Sequence, residues 1–123
     1  MPTISFTEID ASKAAFDVIA ERGRQIEVEG FDPAFDDANR KDGELSTAAA
    51  CYLLIDFDSK SKTGWLKRRV VGVINNIWPL APAWWKPRGK RWNLVRAAAL
   101  IIAEIELLDR LQEKEGGGNG SAN

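Results

Sequence analysis

Toward its C-terminal end this chain carries an apolar pattern that only one kind of secondary structure can use. From about Lys90 to Lys114, the residues Leu94, Ala98, Ile101, Ile105 and Leu108 recur at spacings of four and three. That is the period of one helix face, so the spacing predicts a single long helix. A helix of this length cannot hide its apolar stripe by itself, so its partner faces must be apolar too. The rest of the chain is therefore expected to supply more helices.

A first helix is predicted from Asp10 or Ser12, either of which can cap the free amides of a first turn, to about Val28, with Gly30 as its stop. Ala15, Ile19 and Ile26 share one face, with Phe16 beside them. Residues 30–43 hold one proline, two glycines and four aspartates, a turn-forming composition that reads as an ordered loop anchored by Phe31 and Phe35. A second helix should begin near Asp42 or Gly43 and reach about Asp56, where Ala48, Ala49, Ala50 and Cys51 let another helix come close. The polar stretch 58–64 reads as a connection. Residues 65–78 contain the β-branched run Val70-Val71-Gly72-Val73-Ile74, which suits a strand or a short helix; helix is the reading preferred here. Pro79, Pro82 and Pro87 forbid a regular helix across Trp78 to Gly89. The expected architecture is mainly α: a small bundle of three to four helices, with a Trp/Pro-rich irregular segment before the long last helix. Residues 1–115 form one domain, and the Gly-rich residues 116–123 form a flexible tail.

Composition removes several kinds of chemistry. The chain has no histidine and one cysteine, which rules out imidazole acid–base catalysis, structural zinc and an internal disulfide. Cys51 sits in an apolar run and reads as a buried thiol. The N-terminus has no basic region followed by an apolar stretch, and no apolar run approaches the roughly 18 residues of a membrane span, so a cytoplasmic location is expected.

The net charge of −1 conceals a strong segregation. Residues 1–58 carry thirteen acids and five bases, residues 59–103 ten bases and no acid, and residues 104–123 five acids and two bases. All five tryptophans lie between residues 65 and 92, inside the acid-free stretch. Indoles stack on bases or guanidinium planes while Lys and Arg neutralise anions, so Trp84, Trp85, Lys86, Arg88, Lys90, Arg91 and Trp92 are the candidate binding residues. The same side chains suit a protein interface, and the tryptophans also suit the cap of a small core. Lys90 and Arg91 at the start of a helix oppose its dipole, so their value must lie elsewhere.

The acids offer a second reading. Glu106 and Asp109 are three apart on one helical face, half of the paired-carboxylate pattern of MazG-like nucleoside triphosphate pyrophosphohydrolases. Glu21, Glu106 and Asp109 would then hold magnesium; the other half of the pattern is missing, since Glu21 has Arg24 three residues on. The plainer alternative is solvated helix faces, with Glu106 paired to Arg110. Asp36-Asp37, on the expected loop, is the acidic pair best placed for function.

Several blocks together resemble a group of small, uncharacterised phage and prophage proteins. They are Glu21-Arg22-Gly23-Arg24-Gln25, Glu29-Gly30-Phe31, Asp36-Asp37, Gly43-Glu44-Leu45, Trp78-Pro79, Trp84-Trp85-Lys86-Pro87 and Leu94 through Arg110, spanning about residues 15–110. The resemblance implies an accessory gene product of the host-cell cytoplasm, a class that includes inhibitors of host defence and host enzymes. Members often carry histidines beside the aspartate pair, where this chain has Phe35 and Asn39. Two functions are therefore carried forward. The first is a non-enzymatic accessory protein, without cofactor, that binds a nucleotide, a nucleic acid or an acidic host-protein surface through the Trp/Arg/Lys segment. The second is a MazG-like, magnesium-dependent hydrolase. In either case the last helix is a candidate homodimer seam.

Overall fold

The computed structural model describes residues 12–56 and 64–117, with side chains through Glu115. The described residues form five α-helices and no strand: α1 (Lys13–Glu27), α2 (Pro33–Asn39), α3 (Glu44–Leu54), α4 (Trp65–Ile77) and α5 (Lys90–Gly117). A short 3-10 turn, Pro82–Trp84, precedes α5. The fold is thus the expected small all-α bundle, and no helix among the described residues is long and apolar enough to cross a membrane. Asp10, the connection 58–63 and the tail beyond Gly117 lie outside the described residues.

Local chemistry sets the helix ends. Ser12 caps α1 by accepting from the Ala15 amide at 3.4 Å. The expected loop at 30–43 instead holds the seven-residue α2, because Asp32 accepts from the Phe35 amide at 2.8 Å and Pro33 supplies a preset first-turn φ. Gly43, at φ 81°, precedes α3 in a left-handed conformation that a side chain rarely adopts. No side chain of its own caps α3; Glu104 of α5 does so from outside, accepting from the Ser46 amide and hydroxyl at 3.1 Å each. The β-branched run of α4 is helical, with Ile74 docked and buried. An isolated strand there would leave its backbone groups unpaired, whereas a helix satisfies them locally.

The core is the seam between α3 and α5. These helices run antiparallel, as successive contacts show: Ser46 meets Glu104, Tyr52 meets Arg96, and Asp56 meets Asn93. Leu45, Ala48, Ala49 and Tyr52 of α3 face Ala97, Leu100, Ala103 and Leu107 of α5, all essentially closed to solvent. Alanines on both sides let the backbones approach, and each fully buried leucine contributes about 1.5–3 kcal/mol.

Two apolar faces read from the sequence are not in this core. Leu94, Ile101, Ile105 and Leu108 are 47%, 41%, 52% and 55% exposed, so α5 uses the opposite face, through Ala97, Leu100, Ala103 and Leu107, to build the domain. On α1, Phe16 and Ile19 are exposed while Glu21, Arg22 and Gln25 are buried. The inversion holds because α5 presents a buried arginine, Arg96, and an ion-paired polar face is tolerated where an unpaired one would not be.

Candidate functional site

Trp78 to Gly89 runs along the α3–α5 seam without a regular α-helix, its backbone held by two side chains. The Tyr52 hydroxyl donates to the Trp84 carbonyl at 3.1 Å and accepts from the Lys86 amide at 2.9 Å. Asn93 accepts from the Arg88 amide at 2.7 Å, and its amide donates to the Arg88 carbonyl at 2.8 Å and to the Asp56 carboxylate at 2.7 Å. Proline leaves this stretch unable to satisfy itself, and the two buried polar side chains do it instead.

The indoles are largely spoken for. Trp84 lies against Phe31 and Trp85 against Tyr52, each with ring centroids 4.8 Å apart. Trp78 packs on Trp85 at 4.8 Å, and Trp92 meets Tyr52 edge-on at 6.1 Å. All four are part-buried against the hydrophobic core. Trp92 also carries the Arg88 guanidinium at 4.7 Å and that of Arg96 at 5.6 Å, and Lys86 sits 5.5 Å from the Trp84 ring centroid.

The cations point the other way. Lys86, Arg88, Lys90 and Arg91 are all exposed. Arg91 pairs with Asp17 at 2.8 Å, while among the described residues no carboxylate pairs with Lys86, Arg88 or Lys90. The seven candidate residues are therefore split: Trp84, Trp85 and Trp92 pack on the core, Lys86 and Arg88 lie on Trp84 and Trp92, and Lys90 and Arg91 are exposed on the first turn of α5. Beside these bases, an open groove of about 450 Å³ is lined by Asp17, Ala20, Glu21, Arg24, Arg91, Trp92 and Val95.

Beneath that groove lies a buried ion cluster that the sequence did not reveal. Arg96, 1% exposed, donates to both oxygens of Glu29 at 2.8 and 3.1 Å and to Glu21 at 2.8 Å. Arg24 forks both oxygens of Glu21 at 2.8 Å and reaches Glu29 at 2.6 Å. Burial raises the cost of ionising Glu21, but the bonded Arg24 and Arg96 outweigh it and hold its carboxyl below the usual range. The available signal was positional: Arg96 falls on the same face as Asn93, Leu100 and Leu107, where a charge needs a buried partner.

A second cluster joins α1, α2 and α5. Arg22 donates to Glu106 at 3.1 Å and to the Phe31 carbonyl at 3.0 Å, and lies 3.5 Å from Asp36. Arg110 pairs with Asp37 at 2.9 Å, so Glu106 and Arg110 do not pair with each other as the helix spacing suggested. Asp36 is fully buried, and neither of its oxygens has a hydrogen-bond partner. Burial pushes its carboxyl up to about 6 despite Arg22, Arg40 and Arg110 nearby. Burial likewise pushes up the Cys51 thiol, consistent with an inert core cysteine.

Magnesium binding required Glu21, Glu106 and Asp109 in one cleft, and the fold does not bring them together. Glu21 is held by Arg24 and Arg96, Glu106 by Arg22, and Asp109 is exposed. Among the described residues no three carboxylates or thiolates form a metal-ligand group. A carboxylate neutralised by a guanidinium fork is a poor cation ligand, so these residues do not fit the ion. Comparison with protein-family models, with curated proteins and with solved structures returned no match.

Proposed function

We propose that the protein is a non-enzymatic binding protein whose exposed ridge of Lys86, Arg88, Lys90 and Arg91 engages an acidic face of a partner protein. The observation that carries this reading is the division of the segment: part-buried tryptophans packed on the core, and beside them four exposed cations, of which Lys86, Arg88 and Lys90 have no carboxylate partner among the described residues and Arg91 pairs with Asp17. Two bases on a loop whose backbone is hydrogen-bonded by Tyr52 and Asn93, and two on the first turn of α5, forfeit little backbone freedom on binding, which favours affinity.

A nucleotide fits less well. Stacking needs a free indole face, and the rings of Trp84, Trp85 and Trp92 are already packed against Phe31, Tyr52 and two guanidinium groups. The adjoining groove also carries Asp17 and Glu21, which oppose a phosphate there. On this reading the resemblance of the Trp-Trp-Lys-Pro and Ala-Glu-Ile-Glu blocks to phage and prophage proteins makes this an accessory protein acting on a host component.

The test is a titration of intrinsic tryptophan fluorescence, reported by Trp84 and Trp92 beneath Lys86 and Arg88, with poly-glutamate and with a single-stranded oligonucleotide at two salt concentrations. Saturable, salt-sensitive binding of poly-glutamate that disappears in the Lys86→Glu/Arg88→Glu variant is expected. Binding of the oligonucleotide alone would redirect the reading to nucleic acid. Binding of neither would overturn it.

A further inference from the structure

α5 is apolar on two opposite sides. One side builds the core, and the other presents Leu94, Ala98, Ile101, Ile105 and Leu108 in an unbroken pattern of fours and threes, its leucines and isoleucines 41% to 55% exposed. A helix apolar all round is normally buried all round. This one is covered on one side only.

We propose that two copies of this chain pair antiparallel through this face of α5, in a two-fold symmetric coiled-coil seam. The heptad spacing is the pattern a like helix fills, and a two-fold pair requires a surface complementary to itself. The exposed charges along α5 select the direction. Its beginning exposes Lys90 and Arg91 and no acid, while Arg96 is buried against Glu21 and Glu29; its far end exposes Asp109, Glu113 and Glu115 against Lys114. Parallel pairing would set each Arg91 beside the partner's Arg91. Antiparallel pairing sets the cationic beginning beside the acidic end of the other copy.

The register follows from the same residues. Setting Ile101 against the partner's Ile105 puts Ala98 against the partner's Leu108, Leu94 against the partner's Gln112, and Arg91 against the partner's Glu115. Isoleucine meets isoleucine in the central layers, the small Ala98 meets the larger Leu108 in the layers beside them, and the ends close on opposite charges. A shift of one heptad would press Arg91 onto the partner's Leu108, setting a charge against an apolar side chain in place of an acid. Arg91 is shared by the ridge and the seam, but Lys86 and Arg88 precede the helix and the apolar layers contain no ridge residue, so this pairing does not rest on the ridge binding an acidic target.

Sedimentation equilibrium of the full chain gives the first test. The wild type is expected at the mass of a dimer at about 100 μM, with Ile101→Glu and Ile105→Glu each raising the dissociation constant by at least about tenfold while helical circular dichroism is unchanged. Both substitutions fall on exposed positions, so loss of dimer is not loss of fold. The direction is read by disulfide trapping in a Cys51→Ala background. Leu94→Cys chains mixed with Gln112→Cys chains should give the mixed dimer, and neither variant should cross-link alone. A wild type that stays monomeric, or cross-linking of each single variant with itself, overturns the proposal. A Lys86→Glu/Arg88→Glu variant that loses poly-glutamate but keeps its dimer mass separates this result from the binding reading.

Discussion

Arg96→Met is the most revealing single change to make in this fold. Arg96 is 1% exposed and satisfies Glu29, whose side chain is 2% exposed, and Glu21, at 7%. Methionine keeps much of the volume but leaves two buried carboxylates sharing one guanidinium, that of Arg24, whose side chain is 38% exposed. Removing one partner of a buried ion pair costs about 3–5 kcal/mol, and the surviving Arg24 bonds place the loss near about 3 kcal/mol. At about 4 °C per kcal/mol for a domain of this size, the melting temperature falls by about 12 °C. Arg24→Met, at a more solvated position, should lose only about 1 kcal/mol. Adding Glu29→Gln to Arg96→Met should restore part of the loss, because one uncompensated charge disappears. Urea unfolding followed by circular dichroism at a single protein concentration measures all four chains. A loss below about 1 kcal/mol for Arg96→Met, or equal losses for the two arginines, would refute the argument that the α1–α5 contact depends on this pair of charges.

Asp36 predicts a pH dependence of definite sign. Its carboxyl is raised from 3.8 to about 6 by burial, so the folded chain holds the proton more tightly than the unfolded chain. Stability attributable to Asp36 is therefore highest in acid and declines as pH rises from about 4 through 6, by up to about 3 kcal/mol. In Asp36→Asn that decline should be absent; the same slope of urea midpoint against pH in both chains would count against it. Tyr52→Phe removes a hydroxyl bonded to the Trp84 carbonyl and the Lys86 amide, and should cost about 1–3 kcal/mol and loosen the segment. Faster proteolysis at Lys86 and Arg88, read by mass spectrometry, checks the loosening. Asn93→Ala frees the Arg88 backbone and should lower the melting temperature by about 4–8 °C, on a loss of about 1–2 kcal/mol.

Periodicity and breakers were legible in the sequence, because they act through neighbours a few residues away. The repeat from Leu94 to Leu108 made α5 certain as a helix, Gly43 and the alanine run marked α3, and three prolines kept Trp78 to Gly89 irregular. The exposed bases and the concentration of tryptophan were visible too, as was the short reach needed at Ala48, Ala49 and Cys51. The caps of short elements were harder. Asp32-Pro33 is a helix start, yet within an aspartate- and glycine-rich stretch it read as a loop.

What only the tertiary structure decided is which face of each helix turns inward, and for a physical reason. Both faces of α5 around Ile101 are apolar, so hydrophobicity alone could not choose between them; α3 chose by offering alanines that fit Ala97, Leu100 and Ala103. On α1 the polar face went inside because Arg96, about seventy residues later in the chain, was there to neutralise Glu21 and Glu29. Of the candidate metal carboxylates, Glu21 is taken by Arg24 of its own helix and by Arg96 of α5, and Glu106 by Arg22 of α1; the two interhelical pairings are encoded by no local spacing. Local pattern determined where this chain is helical; long-range charge pairing and backbone fit determined what its helices bury and what they leave for others to bind.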